Sequence, residues 1–77
     1  MTTDQIKALK SAEPFQPFKI FTSRGETFDV RSKNHILVAG TTILIGVDID
    51  PADNVPDRVV HRGIEFIERV ETIPQAA

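Results

Sequence analysis

The stretch Glu13–Val30, EPFQPFKIFTSRGETFDV, constrains this chain more than any other. Proline lacks a backbone donor and biases the residue before it away from the α region, so Pro14 ends any helix arriving from the N-terminus. Pro17 stiffens the entry to Phe18–Ser23, an apolar strand with Phe18 and Ile20 on one face and Phe21 on the other, covered on both sides. Ser23-Arg24-Gly25-Glu26 then turns the chain back, with Gly25 free to take a positive φ. Thr27–Arg31 alternates, Phe28 and Val30 inward and Thr27, Asp29 and Arg31 toward water. The two Pro-Phe pairs therefore act as helix stop and strand entry around buried phenylalanines, not as a proline-rich recognition element.

Ahead of this hairpin, Thr2 or Thr3 caps a short helix with Asp4 and Gln5 in its first turn and Ile6 and Leu9 as its apolar stripe. The helix stops near Ala12. A helix of about ten residues does not persist alone in water and has to pack on something.

After the hairpin, Ser32-Lys33-Asn34 breaks the pattern and His35–Ala39 resumes as a short apolar strand. Gly40-Thr41-Thr42 is a turn, and Ile43–Val47 is a strand rich in β-branched residues, in which Gly46 signals a bulge or bend. Asp48–Asp57 reads as a solvated loop with two prolines and four aspartates, and Val59–Arg62 as the next strand. Ile64–Ile67 predicts one helical turn, Glu68–Ile73 a closing strand, and Pro74–Ala77 a frayed tail.

All 77 residues fit one small domain. A chain of this size buries roughly 60% of its unfolded surface, which leaves stability marginal without a staple. There is no cysteine, hence no disulfide and no thiolate metal site. Self-association is the remaining common way to stabilise such a core. The absence of cysteine also suits a cytoplasmic setting, and the N-terminus MTTDQIKALK has no signal-type apolar core. A net charge of −2 gives no global positive field toward nucleic acid or anionic membrane, and no apolar run approaches the roughly 18–20 residues of a bilayer span.

Chemistry is sparse. His35 and His61 are the side chains that titrate nearest neutrality when unperturbed, but they form no spaced ligand motif and read as structural or surface residues. No serine lies in a G-x-S-x-G setting, and the glycines at 25, 40, 46 and 63 form no phosphate loop. The loop opening at Asp48 resembles a calcium loop only superficially: Ala52 stands at a ligand position, Asp53 where the turn needs glycine, and Val59 where the bidentate glutamate belongs. We therefore expect no catalytic, cofactor or metal residues and a protein that is not an enzyme. Arg31 and Lys33 flank one strand end and Arg58 and Arg62 another, without a Tyr or Trp platform for base stacking.

Two resemblances follow from these residues. The layout of short helix, P-F-x-P-F-x-I entry, strand, glycine turn and strand, carried by Pro14, Phe15, Pro17, Phe18, Ile20, Gly25, Phe28 and Val30, resembles a family of short uncharacterised bacterial proteins, and that likeness implies no activity. A short helix before meandering strands also resembles the Sm-like barrels of the Hfq type, and Val59-Val60-His61-Arg62-Gly63 is similar to their second sequence motif. The first Sm motif is only partly matched, since Val30–Asn34 supplies its asparagine alone. That likeness implies a homo-oligomeric ring contacting RNA through His61 and Arg62, joined by Arg31 and Lys33.

The sequence thus predicts an α+β, mostly β domain: a short N-terminal helix followed by a bent antiparallel sheet of about five strands, an SH3/Sm-like small barrel. Phe15, Phe18, Ile20, Phe28, Val30, Ile36, Ile43, Ile45, Val59 and Phe66 are the expected core. The expected function is a non-enzymatic interaction module working through self-association or a protein partner at its strand edges, with a ring-forming Sm-like RNA binder as the alternative.

Overall fold

The computed structural model describes residues 2–74. Helix α1 (Thr3–Ser11) starts where the sequence places it: the Thr2 hydroxyl accepts from Gln5 N–H while the Gln5 side chain accepts from Thr2 N–H, a complete capping box. It ends before the Glu13–Pro14 bond, which is cis. Its one fully buried residue, Ile6, enters the core.

Six strands follow rather than five: β1 (Phe18–Thr22), β2 (Thr27–Val30), β3 (Ile36–Ala39), β4 (Thr42–Ile49), β5 (Pro56–Gly63) and β6 (Ile67–Thr72). They form two three-stranded antiparallel sheets, ordered β2-β1-β6 and β3-β4-β5, and do not close into the barrel expected from the sequence. The break at Ser32-Lys33-Asn34 falls where the sequence places it. The Ser32 hydroxyl accepts from Asn34 N–H, a local bond that favours a turn over a ladder, and a 3-10 turn over Lys33–His35 separates β2 from β3. The two strands edge different sheets.

The turns behave as their residues dictate. Gly25 and Gly40 both take the positive φ that tight reversals need, at 82° and 61°. A second 3-10 turn, Ile64–Phe66, carries the chain from β5 into β6 and so from one sheet to the other. Ser23 N–H donates to the Phe66 carbonyl and Ile64 N–H to the Thr41 carbonyl, which fastens that crossing to both sheets.

The core is Phe18, Ile20, Val30, Ile36, Ile43 and Ile45 from the strands, closed by Ile6 of α1 and Ile67 of β6. Phe15 and Phe28 pack against it half-buried. Phe21 faces the other way and is only half-buried, under the Arg69 guanidinium 3.9 Å from its ring. Two expected core residues lie outside: Val59 is 54% exposed and Phe66 41% exposed. Of the adjacent valines in β5 only one can face inward, and the register puts Val60 opposite the buried Ile45 and Val59 opposite Gly46.

Two further expectations are corrected. The loop predicted over Asp48–Asp57 is shorter, because β4 continues to Ile49 and β5 begins at Pro56. Asp48 makes this possible by adopting a φ of 54°, within the range that aspartate tolerates better than most residues. Gly46 is no bulge, since the β4–β5 register is unbroken there; it is small because the Pro56 ring lies where a side chain would start, 2.5 Å from an ideal Cβ. The irregularity in the sheets falls instead at Phe21/Thr22, in the β1–β6 pairing. Residues 75–77 of the predicted tail lie outside the described residues.

Candidate functional site

Three surfaces combine polar groups or exposed apolar side chains. The first joins the sheets. Arg62, on the inner row of β5, holds Glu26 of the β1–β2 turn with Nε–Oε1 at 2.8 Å and Nη2–Oε2 at 2.6 Å, a fork-to-fork pair. Both side chains are about two-thirds covered, at 29% and 33% exposure. The guanidinium also lies over the Phe28 ring, 5.3 Å from its centroid, and the Thr22 hydroxyl donates to Glu26 Oε1 at 3.3 Å. Hydrogen bonding from Arg62 holds the Glu26 carboxyl below the usual glutamate range against partial burial, and Arg62 is correspondingly raised. A shallow depression of about 240 Å³ opens beside the pair, with Arg24, His61 and Phe66 on its walls.

The second surface is a cleft of about 380 Å³ between β2 and β4, walled by Phe28, Val47 and Ile49. His35 lies at its base, buried, with Nε2 3.0 Å from the Asn54 carbonyl. A carbonyl can only accept, so this nitrogen carries the proton and His35 ties down the loop between β4 and β5. Asn54 has a φ of 60°, and Asp48 in the same cleft accepts from Arg58 Nε at 2.6 Å.

The third surface is the outer face of the β3-β4-β5 sheet. Cross-strand register aligns Leu37, Leu44 and His61 in one row, and Gly46 with Val59 in the next. Leu37 is 55% exposed, close to Val59 in value, and a shallow apolar trough is bordered by Leu37, Leu44, Gly46, Pro56 and Val59. This patch ends at β5, an eight-residue strand at the sheet edge.

The other edges are protected. β3 is short, and Lys10 of α1 donates its ammonium to the carbonyls of Lys33 and Ile36 at that edge. β2 is equally short and carries Asp29 between Lys19 and Arg31. β6 bears a chain of charges, Glu68, Arg69 and Glu71, with Arg69 bridging the two carboxylates. Charges and brevity are the usual defences of an edge. On β5, Arg58 pairs with Asp48 and Arg62 with Glu26, and Arg62 Nη1 also donates to the His61 carbonyl at 2.7 Å.

The residues proposed for RNA contact are dispersed. His61 and Arg62 border the depression beside Glu26, whereas Arg31 pairs with Asp29 near the β2–β4 cleft and Lys33 with Glu13 at 4.0 Å. Among the described residues no cluster of three or more His, Asp or Glu side chains is arranged to hold a metal ion, and no helix is long and apolar enough to cross a membrane. Sequence reasoning missed the Arg62–Glu26 pair, whose partners are 36 positions apart, and the outer apolar patch. The signal for the patch was the Val59-Val60 doublet, which forces one valine outward.

Comparison with protein-family models, with curated proteins and with solved structures finds no match.

Proposed function

We propose that this chain is a non-enzymatic interaction module that binds a second copy or a protein partner through the open edge of β5 and the apolar face beside it. The observation that carries the reading is Val59: a half-exposed β-branched residue, flanked by the trough at Gly46 and exposed Leu37, on the longest edge strand of the domain. An unpaired edge supplies main-chain hydrogen bonds and the adjacent apolar row supplies side-chain contact, the two components of strand addition. Sedimentation of the purified chain across a concentration series tests self-association. The expected result is a mass that rises above the 8.6 kDa of one chain and falls back to it in a Val59→Lys variant. A mass fixed at one chain, together with no partner whose binding depends on Val59, would remove the reading.

A second reading, an Sm-like RNA-binding ring, is favoured by one feature. β2 and β3 follow each other around a single turn while edging different sheets, which resembles one bent strand serving both sheets of a small barrel. Its test is retention of uridine-rich RNA, which should weaken with salt and with Arg62→Ala. No retention at low salt ends it.

A further inference from the structure

Four of the five arginines are paired with carboxylates: Arg31 with Asp29, Arg58 with Asp48, Arg62 with Glu26, and Arg69 with Glu68 and Glu71. Arg24, exposed in the β1–β2 turn, has no carboxylate partner among the described residues, although acidic side chains outnumber basic ones by eleven to nine. It is nonetheless held. Its guanidinium carbon lies 5.7 Å from the centroid of the Phe66 ring, a cation–π contact across from one turn to the other. Gly63 in turn leaves the Phe66 ring its place, since a Cβ there would start 3.3 Å from it.

The neighbouring ion pair does not neutralise Arg24. Hydrogen bonding from Arg62 is the main cause that lowers the Glu26 pKa, and the Arg24 charge adds to it, so two guanidinium groups act on one carboxylate. Arg62 uses three of its five N–H groups, two on Glu26 and one on the His61 carbonyl, and keeps two. The His61 imidazole makes no hydrogen bond or ion pair among the described residues. Arg24, Glu26, His61, Arg62 and Phe66 line one depression of about 240 Å³, where Glu26 is the one carboxylate. Glu65, beside Phe66 in the chain, lines the adjoining depression with Thr41 and Thr42 instead.

We infer that this depression binds a small organic carboxylate, its carboxyl on the Arg24 guanidinium beside His61 and its apolar body against the exposed part of Phe66. A planar guanidinium presents two parallel donors to a carboxylate, and Arg24 has that fork uncommitted. One uncompensated positive charge matches one negative charge, whereas a phosphate ester would bring a second charge against Glu26. The size sets the ligand: about 240 Å³ falls below the roughly 300–1,000 Å³ of sites for drug-sized molecules, which suits an acid carrying a single ring or a short chain. Phe66 is 41% exposed and supplies the apolar contact. The site is independent of the β5-edge reading, since neither Val59 nor Leu37 borders it.

The test is an NMR titration of the full chain at low salt with benzoate, its neutral isostere benzamide, and phenyl phosphate. Benzoate should give saturable shifts at Arg24 Nε–H and at the Glu26, Gly63 and Phe66 amides, with a Kd on the order of 1 mM. Benzamide should bind about tenfold more weakly, and phenyl phosphate more weakly than benzoate. Arg24→Gln should lose about tenfold for benzoate, while Lys7→Gln, which removes the same charge from an exposed position on α1, should change nothing. Arg24→Lys keeps the charge without the fork and should recover only part of the loss. Shifts that never saturate, or that spread evenly over the other arginines, overturn the site. Equal binding of benzamide, a comparison that needs no variant, or an equal loss in Lys7→Gln overturns it as well. Tighter binding of phenyl phosphate than of benzoate overturns the assignment to a carboxylate.

Discussion

Arg62 and Glu26 meet in a two-pronged ion pair that ties the edge strand of one sheet to the turn of the other. Two three-stranded sheets of this size share a small core, and the pair lies beside the chain crossing at Ile64–Phe66 that also links them. The pair also places the guanidinium over Phe28, so one side chain covers an aromatic ring and satisfies a carboxylate. That arrangement gives the domain an acid sensitivity with a defined sign. Since the folded-state pKa of Glu26 is lowered, its contribution is present above the ordinary glutamate range and is lost as pH falls through the lowered value. Thermal melts of wild type and Glu26→Gln should therefore differ at neutral pH and converge on acidification. A difference that is constant with pH would place the effect elsewhere than in ionisation.

Ile6 is expected to matter more than its place on a short helix suggests. It is fully buried against the sheets, and truncation of a buried isoleucine costs about 2–5 kcal/mol. Ile6→Ala should lose most of the cooperative urea transition, while Val59→Ser, at an exposed position, should shift stability by no more than about 0.5 kcal/mol.

Gly46→Ala should destabilise by about 1–3 kcal/mol, because its Cβ would collide with the Pro56 ring on the neighbouring strand. Replacing Pro56 with alanine removes the ring atom that clashes first. The double variant should therefore recover part of the loss, a coupling that denaturant titration of all four proteins resolves.

Thr2→Ala removes the side-chain half of the capping box and should cost about 1 kcal/mol. The loss should be visible as faster amide exchange in the first turn of α1 before the sheets respond.

What was legible in the sequence was local. The capping threonine, the stop at Pro14, the Gly25 turn and the β1–β2 alternation each follow from the conformational limits of a few adjacent residues, and each is present. Relations between distant residues were not legible. Nothing local distinguishes Val59 from Val60 as the inward residue; that is decided by register against β4. Phe66 looked like core by its hydrophobicity, yet the 3-10 turn carries it to the surface beside Arg24. Ile67 takes the inward place instead. Asp48 and Pro56 are turn-forming residues, so the segment between them read as loop, whereas Asp48 continues β4 with a left-handed backbone and Pro56 begins an edge strand that needs no donor there. The candidate interaction surface joins Leu37, Gly46 and Val59 from three strands by cross-strand register, and so could not be assembled from pattern alone.

The most direct test of a β5-edge interface is hydrogen exchange at the Val59 and His61 amides as a function of protein concentration. The account predicts rapid exchange in dilute solution and strong protection at high concentration, confined to β5, with the β6 edge amides unchanged. Rapid exchange of Val59 and His61 at concentrations where the protein is demonstrably associated would contradict it.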